Sequence, residues 1–599
     1  MFMAMTIMNE KNLERKIQLA HMGDVNIVEY SRHYFEKGEK NMKDCRIFKQ
    51  SFTWITILAA IGMNIVFFSA VMAAERAKNI IVLIADGCSS EQYTFVRWYK
   101  GAALSFDDIQ VGAVRTYIAD SVVADSAPAA SAYATGVRTS DKFISAGPHK
   151  NTLSSVPIPD EALQYRPLAT VLEGARLMKK ATGVVSTSRV SHATPGAYIS
   201  HSASRSLEHD MMEQAVYQNI DVVFGGGKEL LLPKDANGKR PDGENLLSVL
   251  RDQGYQIAET REDLSHIKYG KVFGMFADNH MDAEIDRTRN HPSQPTLREM
   301  TEKAIDILSQ DKNGFFLMVE GSQIDWACHA NDPAHLLGDM LAYDQAVQAA
   351  LDFARKDGRT LLIALSDHNT GGFSIGNAAS NKNYSQMKQE DLLKPFNSMK
   401  STAADMWRKI KDNETSENVI EIVQSDWGMA ITTDDASAIL KLAEIYKNEP
   451  FYAFGEFLSA KYTFAGWTTH GHCGGDVPLF AFGPGKPAGL LEAPEIATVC
   501  ARSMGLNLNR LNQRLFVDAS MEFDSVIVDV SQPENPVAQI TFQGKIALLP
   551  INKNLLEMNN KLYRLEGVVV YAAATQKVYI PCQAVQLIKG IKKNLPSLL

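Results

Sequence analysis

Acidic and imidazole side chains recur in this chain directly after apolar runs. NIIVLIA (79–85) is followed by Asp86 and Gly87, and FFLMVE (315–320) ends at Glu320, with Asp325 and His329 just beyond. TLLIALS (360–366) is followed by Asp367 and His368. Continuous apolar runs read as strands covered on both faces, and in open α/β sheets functional groups collect beyond the carboxyl ends of the strands. Taken singly, a strand-end aspartate is more simply a helix cap, and a lone histidine a satisfied core or surface group. Three strand ends bearing acid and imidazole together point elsewhere, because like-charged carboxylates cannot share a site without a cation. Oxygen and nitrogen donors without thiolates suit Zn²⁺ or Mg²⁺. The chemistry expected here is that of a metal site.

A second element is VADSAPAASAYATGVRT (123–139), in which Asp125-Ser126-Ala127 precedes an alanine-rich helical stretch. Ser126 then falls at or near a helix N-terminus, where backbone N–H groups and the helix dipole favour an anion. On this stretch alone a capping role is the simpler reading. A hydroxyl nucleophile without a neighbouring base needs metal coordination to become reactive, and the strand-end cluster would provide it if the two are adjacent.

The elements that must hold these groups alternate along the chain. GVVST (183–187), DVVFGG (221–226) and VPLFAFG (477–483) read as further buried strands, and 296–310 and 334–356 carry helical apolar spacing. The order predicts a large, mostly parallel α/β sheet with helices on both faces. Residues 374–460 break the rhythm with a polar, Lys/Asn/Ser-rich stretch before a helical one, and read as an insertion above the sheet. Beyond about residue 510, SVIVDV (525–530), KIALLPI (545–551) and RLEGVVVYAAA (564–574) predict a small β-rich accessory region, giving a catalytic domain over 75–509 and an accessory region over 510–599.

Composition narrows the classes further. The chain has 599 residues, 45% hydrophobic and 22% charged, which excludes a disordered or collagen-like protein. Lys and Arg number 61 against 69 Asp and Glu, with no basic stripe, so nucleic acid is not an expected partner. The six cysteines, at 45, 88, 328, 473, 500 and 582, form no CxxC pair, which argues against a cysteine zinc module. Residues 50–74 are uncharged and largely apolar, preceded by Lys43, Arg46 and Lys49 and ending in small residues. That pattern predicts a signal peptide over 42–74 cleaved after Ala73 or Ala74, or an uncleaved membrane anchor, with residues 1–41 an upstream extension. The expected location is outside the cytoplasm, in the periplasm or at the cell surface, with membrane contact only if the segment is retained.

Several stretches together carry a family resemblance. IVLIADG (81–87), ADSAPAASAYATG (124–136), RVSHATPGAYISHSASR (189–205), DVVFGGG (221–227), the segment 300–329, LSDHNTGGF (365–373) and GWTTHGHCGGDVPLFAFGPG (466–485) resemble the alkaline phosphatases over roughly residues 79–500. The resemblance implies two zinc ions, a third ion that is usually Mg²⁺, phosphate monoesters as substrates and a homodimer. It implies that Ser126 takes the phosphoryl group and that Asp325, His329 and His472 hold one zinc. Asp86, Asp367 and His368 would hold the second, and Asp86 would also bridge to the third ion, bound by Thr194 and Glu320. Arg205 would clamp phosphate through two parallel charge-assisted hydrogen bonds.

The match loosens at a few positions. His470 and His472 both lie near the family's Gly-His-Thr-Gly pattern; Gly471-His472-Cys473-Gly474 fits it with Cys for Thr, and Cys473 is given no ligand role. His192 and Trp326 stand where family branches differ and are expected to tune phosphate affinity and the third site, Trp326 as a rim aromatic or a packed neighbour. Cys88 lacks the sulfatase Cys-x-Pro-x-Arg context and reads as structural. The alternatives are a phosphodiesterase or sulfatase-like member of the superfamily, and a catalytically silent phosphate- or metal-binding scaffold.

Overall fold

The computed structural model describes residues 76–153, 161–591 and 597–598. The chain divides into Met1–Ala73 and Ala74–Leu599, and every described residue belongs to the second unit. The expected N-terminal extension and the signal or anchor segment lie outside the described residues. Among the described residues, no helix is long and apolar enough to cross a membrane.

The apolar runs form a ten-stranded sheet. In chain order its strands are β1 (Asn79–Ala85), β2 (Gln110–Arg115), β3 (Ala181–Arg189), β4 (Val222–Gly226), β5 (Gln256–Ala258), β6 (Val272–Met275), β7 (Phe315–Gly321), β8 (Thr360–Leu365), β9 (Asp476–Phe482) and β10 (Gly489–Glu492). Their spatial order is β10-β2-β9-β8-β1-β7-β3-β4-β6-β5. β9 alone runs against its neighbours, pairing antiparallel with both β8 and β2. Every residue of β1 is buried, and its period-two alternation sorts Ile81 and Leu83 into one apolar cluster and Ile80, Val82 and Ile84 into another. These two clusters are the packed layers of helices on either face of the sheet, as the continuous apolar strands require.

β2, β5, β6 and β10 were not legible as strands: they are short or, in β2, largely half-exposed, so no apolar run marks them. Residues 374–460 are mainly helical, with helices at Ala403–Ile410, Ser416–Trp427, Thr433–Ile445 and Tyr452–Tyr462 that bury Met406, Val423, Trp427, Ile439 and Phe454 in the same cluster as Ile81 and Leu83. The C-terminal region holds a five-stranded and a three-stranded sheet. The run RLEGVVVYAAA is not one strand, because Lys561–Arg564 belongs to the larger sheet and Val570–Ala572 to the smaller. A closing helix, Cys582–Lys589, packs Ala584, Val585 and Ile588 into a separate small core and was not anticipated.

Candidate metal centre

Parallel register brings the strand ends level. Ala85 of β1 stands beside Gly321 of β7, Ile84 beside Leu365 of β8, and Glu320 beside Ser186 of β3. Asp86, Glu320 and Asp367 therefore emerge at one edge. Gly87 makes the turn after β1 with φ +73°, and a Cβ there would stand 2.6 Å from Asp325 Oδ1 and 2.7 Å from Thr370 Oγ1, so no other residue fits. Because β9 runs in reverse, its beginning lies at this same edge. His472 just precedes it, and the short pair His472–Cys473 with Asn369–Thr370 fastens that loop down.

Three donor sets result. In the first, Asp325 and His329 lie on α1 (Gln323–His329), one turn apart, with His329 Nε2 3.2 Å from Asp325 Oδ2. His472 Nε2 is 3.2 Å from His329 Nε2 and 3.7 Å from Asp325 Oδ1. His472 Nδ1 donates to the Ala124 carbonyl at 2.8 Å, and His329 Nδ1 donates to the His470 carbonyl, so both rings present Nε2 inward to the set. In the second set, His368 Nε2 lies 3.4 Å from Asp86 Oδ1 and 3.5 Å from Asp367 Oδ2. The third joins Asp86 and Glu320 with His192. Asp86 is common to the second and third sets, while the His368 and His472 rings stack at 3.9 Å, making the first and second contiguous.

Ser126 opens the helix Ser126–Thr135, and its Oγ lies 3.1 Å from His368 Nε2. Asp125, not Ser126, holds the cap position, and neither side chain makes a capping hydrogen bond. Ser126 is buried and turned to the donor sets. Arg205 reaches the same place, with Nη1 donating to Asp125 Oδ1 at 2.5 Å and Nη2 2.9 Å from His192 Nε2.

The electrostatics of this edge are those of a site built around cations. Burial, then the charges of Asp367, Asp325 and Glu320, pushes Asp86 well above the usual carboxylate range. Burial likewise raises Glu320 to about 7 and Asp367 to about 6. Asp325 is held low despite burial by His329 and His472, and His329 is raised to about 9, its own burial outweighed by Asp325. Burial lowers His368 to about 3. Asp86 Oδ1, Asp367 Oδ2, Glu320 Oε1 and Thr194 Oγ1 are all buried without a hydrogen-bond partner among the described residues. Unpaired buried carboxylate oxygens are costly, and divalent cations fit the donors as they stand.

The structure brings Ser126, Arg205, Asp86, Glu320, Asp325, His329, Asp367, His368 and His472 together at this edge, and Thr194 stands beside Glu320. The His192 ring lies with Asp86 and Glu320 in the third donor set and against Arg205 Nη2. Trp326 packs edge-on to His192 at 5.5 Å and to His280 at 4.3 Å. His470 turns away from the donors, and Cys473 belongs to no donor set among the described residues. Cys88 is buried against Met340, as a structural thiol would be. Thr370 was missed: its Oγ1 donates to Asp325 Oδ1 at 2.6 Å and lies 3.2 Å from His368 Nδ1, tying the first two sets together. Its only sequence signal was its place two residues after His368. His280, on the loop after β6, carried none, because that short strand is not marked by an apolar run.

A hydroxyl at a helix start, set among carboxylate and imidazole donors at the open edge of a doubly wound sheet, defines a metal-binding hydrolase. The chain belongs to the alkaline phosphatase family, whose model, Alkaline phosphatase, matches residues 77–506. It is 35% identical over 451 residues to Alkaline phosphatase 3 of Bacillus subtilis, spanning 72% of this chain and 90% of that one. The crystal structure of the Thermus thermophilus alkaline phosphatase superposes with a TM-score of 0.64 at 25% identity, covering 72% of this chain and 92% of that one. A His-to-Asp variant of the alkaline phosphatase from the Antarctic bacterium TAB5, solved with Mg bound in its M3 site, gives a TM-score of 0.51 at 26% identity over 72% and 99% of the two chains.

Proposed function

We propose that this chain is an exported phosphomonoesterase that works through a phosphoserine formed on Ser126. The observation that carries the reading is Ser126 Oγ, buried at a helix start 3.1 Å from His368 Nε2, beside unpaired oxygens of Asp86 and Asp367. Asp325, His329 and His472 would hold one zinc, and Asp86, Asp367 and His368 a second. Asp86, Thr194 and Glu320 would hold a third ion, magnesium or zinc, with the His192 ring beside it. The magnesium of the TAB5 variant's M3 site supports a third ion as such. Bound divalent cations neutralise phosphate charge and lower the pKa of a nearby hydroxyl or water.

The chain's own groups then do the rest. Ser126 Oγ attacks phosphorus in line, its proton is lost to solvent and the leaving alkoxide takes one up. Water displaces Ser126 in the reverse sense, releasing inorganic phosphate. The Arg205 guanidinium, already oriented by Asp125, takes two phosphate oxygens and fixes the in-line geometry. Arg205 together with a third cation rewards a third anionic oxygen, which favours monoesters over the diesters and sulfate esters of related enzymes. Export rests on the uncharged 50–74 segment behind its basic flank, and the homodimer and the 75–509 and 510–599 limits stand as parts of the same reading. Trapping radiolabelled phosphate on Ser126 at mildly acidic pH tests it. Label should appear in the parent protein and be absent from Ser126→Ala, and label in that variant would refute the nucleophile.

A further inference from the structure

His329 is held through its backbone as well as its ring. Its Nδ1 donates to the His470 carbonyl, while His470 Nδ1 donates back to the His329 carbonyl at 2.6 Å. The other nitrogen of His470 faces Glu456 Oε2 at 2.8 Å. Tyr446 donates its hydroxyl to the same carboxylate oxygen, and the Tyr452 ring stacks on His470 at 4.8 Å with the planes only 9° apart. Glu456 and Tyr452 both belong to the helix Tyr452–Tyr462, the last of the 374–460 insertion. That helix sits directly on the turn after His329: a Cβ on Gly455 would meet the Ala330 carbonyl at 2.0 Å, and Ser459 Oγ donates to the Asn331 carbonyl at 3.1 Å. Three of its residues, Gly455, Glu456 and Ser459, thus grip His470 and residues 330–331 from one side.

The geometry points to Glu456 as a positioning residue that, through His470, fixes the orientation of His329 and so sets metal affinity at the Asp325–His329–His472 donor set. This rests on the reading of that set as a metal site. His470 itself donates no atom to the set. Both its ring nitrogens are committed, one to a carbonyl that only accepts and the other to a carboxylate, so its orientation follows Glu456. The His329 ring can rotate about its side-chain bonds unless the Nδ1 bond to His470 holds, and that bond is only as fixed as His470. Groups that orient a ligand in this way commonly change metal affinity ~10–100-fold when removed. The insertion, otherwise a helical cover, acquires a role at the site.

Zinc affinity of the metal-depleted full chain, measured by competition with a chromophoric chelator, tests the assignment. Glu456→Ala should weaken the affected zinc ~10–100-fold, with the unfolding midpoint of the metal-free protein close to the parent's. Glu456→Gln, whose amide oxygen can still accept from His470, should restore most of the affinity. Gly455→Ala, which forces the helix off the Ala330 carbonyl, should weaken the same zinc. His329→Ala serves as the reference for the underlying reading. Parent-like zinc affinity in Glu456→Ala, with His329→Ala impaired, overturns the positioning role and leaves the metal site. Parent-like affinity in His329→Ala as well overturns both. A Glu456→Ala protein that loses metal only because its metal-free form has unfolded would show a collapsed midpoint, with no rescue by Glu456→Gln, and that also overturns the role.

Discussion

Ser126 and His329 illustrate two different demands on a side chain, reactivity and ligation, and they separate experimentally. Ser126→Ala should lower turnover of phosphate monoesters by ~10³-fold or more while leaving metal content near the parent's, as assays and metal analysis of the same preparation would check. His329→Ala or Asp367→Asn should instead lose bound zinc, and full metal content in either would contradict the assigned ligand sets. The raised His329 adds a pH signature. Held up to about 9 by Asp325, the ring carries a proton at neutral pH that a metal must displace. Zinc binding at pH 7 should therefore release protons, and apparent affinity should fall as pH drops from about 9. Calorimetry in buffers of different ionisation enthalpy measures this, and a heat independent of buffer would contradict it. Asp86, Glu320 and Asp367 were legible because each stands at a strand end next to an apolar run, whereas Thr194, Arg205 and His472 were named only through the family resemblance. Thr370 and Glu456 were not, since a threonine or glutamate within a polar stretch looks like any solvated residue until the chain folds over it.

Among the elements, the turns after the strands carry as much of the site as the strands themselves. Gly87 is the clearest case: any side chain there meets both Asp325 and Thr370. Gly87→Ala should cut activity and metal retention together while the rest of the sheet holds, measurable as loss of zinc on dialysis against the parent's retention. By contrast, truncating Leu83 in the buried centre of β1 should cost ~2–5 kcal/mol of stability with its main effect on unfolding rather than on metal content. β1, β3, β4, β7, β8 and β9 were legible as unbroken apolar runs. The reversal of β9 was not, because direction leaves no trace in a run buried on both faces. Yet that reversal is what brings His472 to the edge where the parallel strands end. The insertion was legible as a break in rhythm before a helical stretch, but not the fact that its last helix reaches His470 through Tyr452 and Glu456.

At the level of the whole molecule, one sheet edge gathers four carboxylates, Asp86, Glu320, Asp325 and Asp367, and three of them leave a buried oxygen unpaired among the described residues. Chelation should lower the unfolding midpoint. Ions binding only the folded state contribute about 4 kcal/mol when free at ~1,000 times their Kd, and an unchanged midpoint would argue against buried metal sites. The central claim joins that metal dependence to Ser126, and one assay addresses it most directly. Residues 75–599, purified with and without Ser126→Ala, would be assayed with p-nitrophenyl phosphate at alkaline pH as isolated, after chelation, and after zinc and magnesium are restored. The account predicts hydrolysis that is lost on chelation, returns with both metals, and is absent from Ser126→Ala throughout. Hydrolysis that survives complete metal removal, or that persists in metal-replete Ser126→Ala, would contradict it.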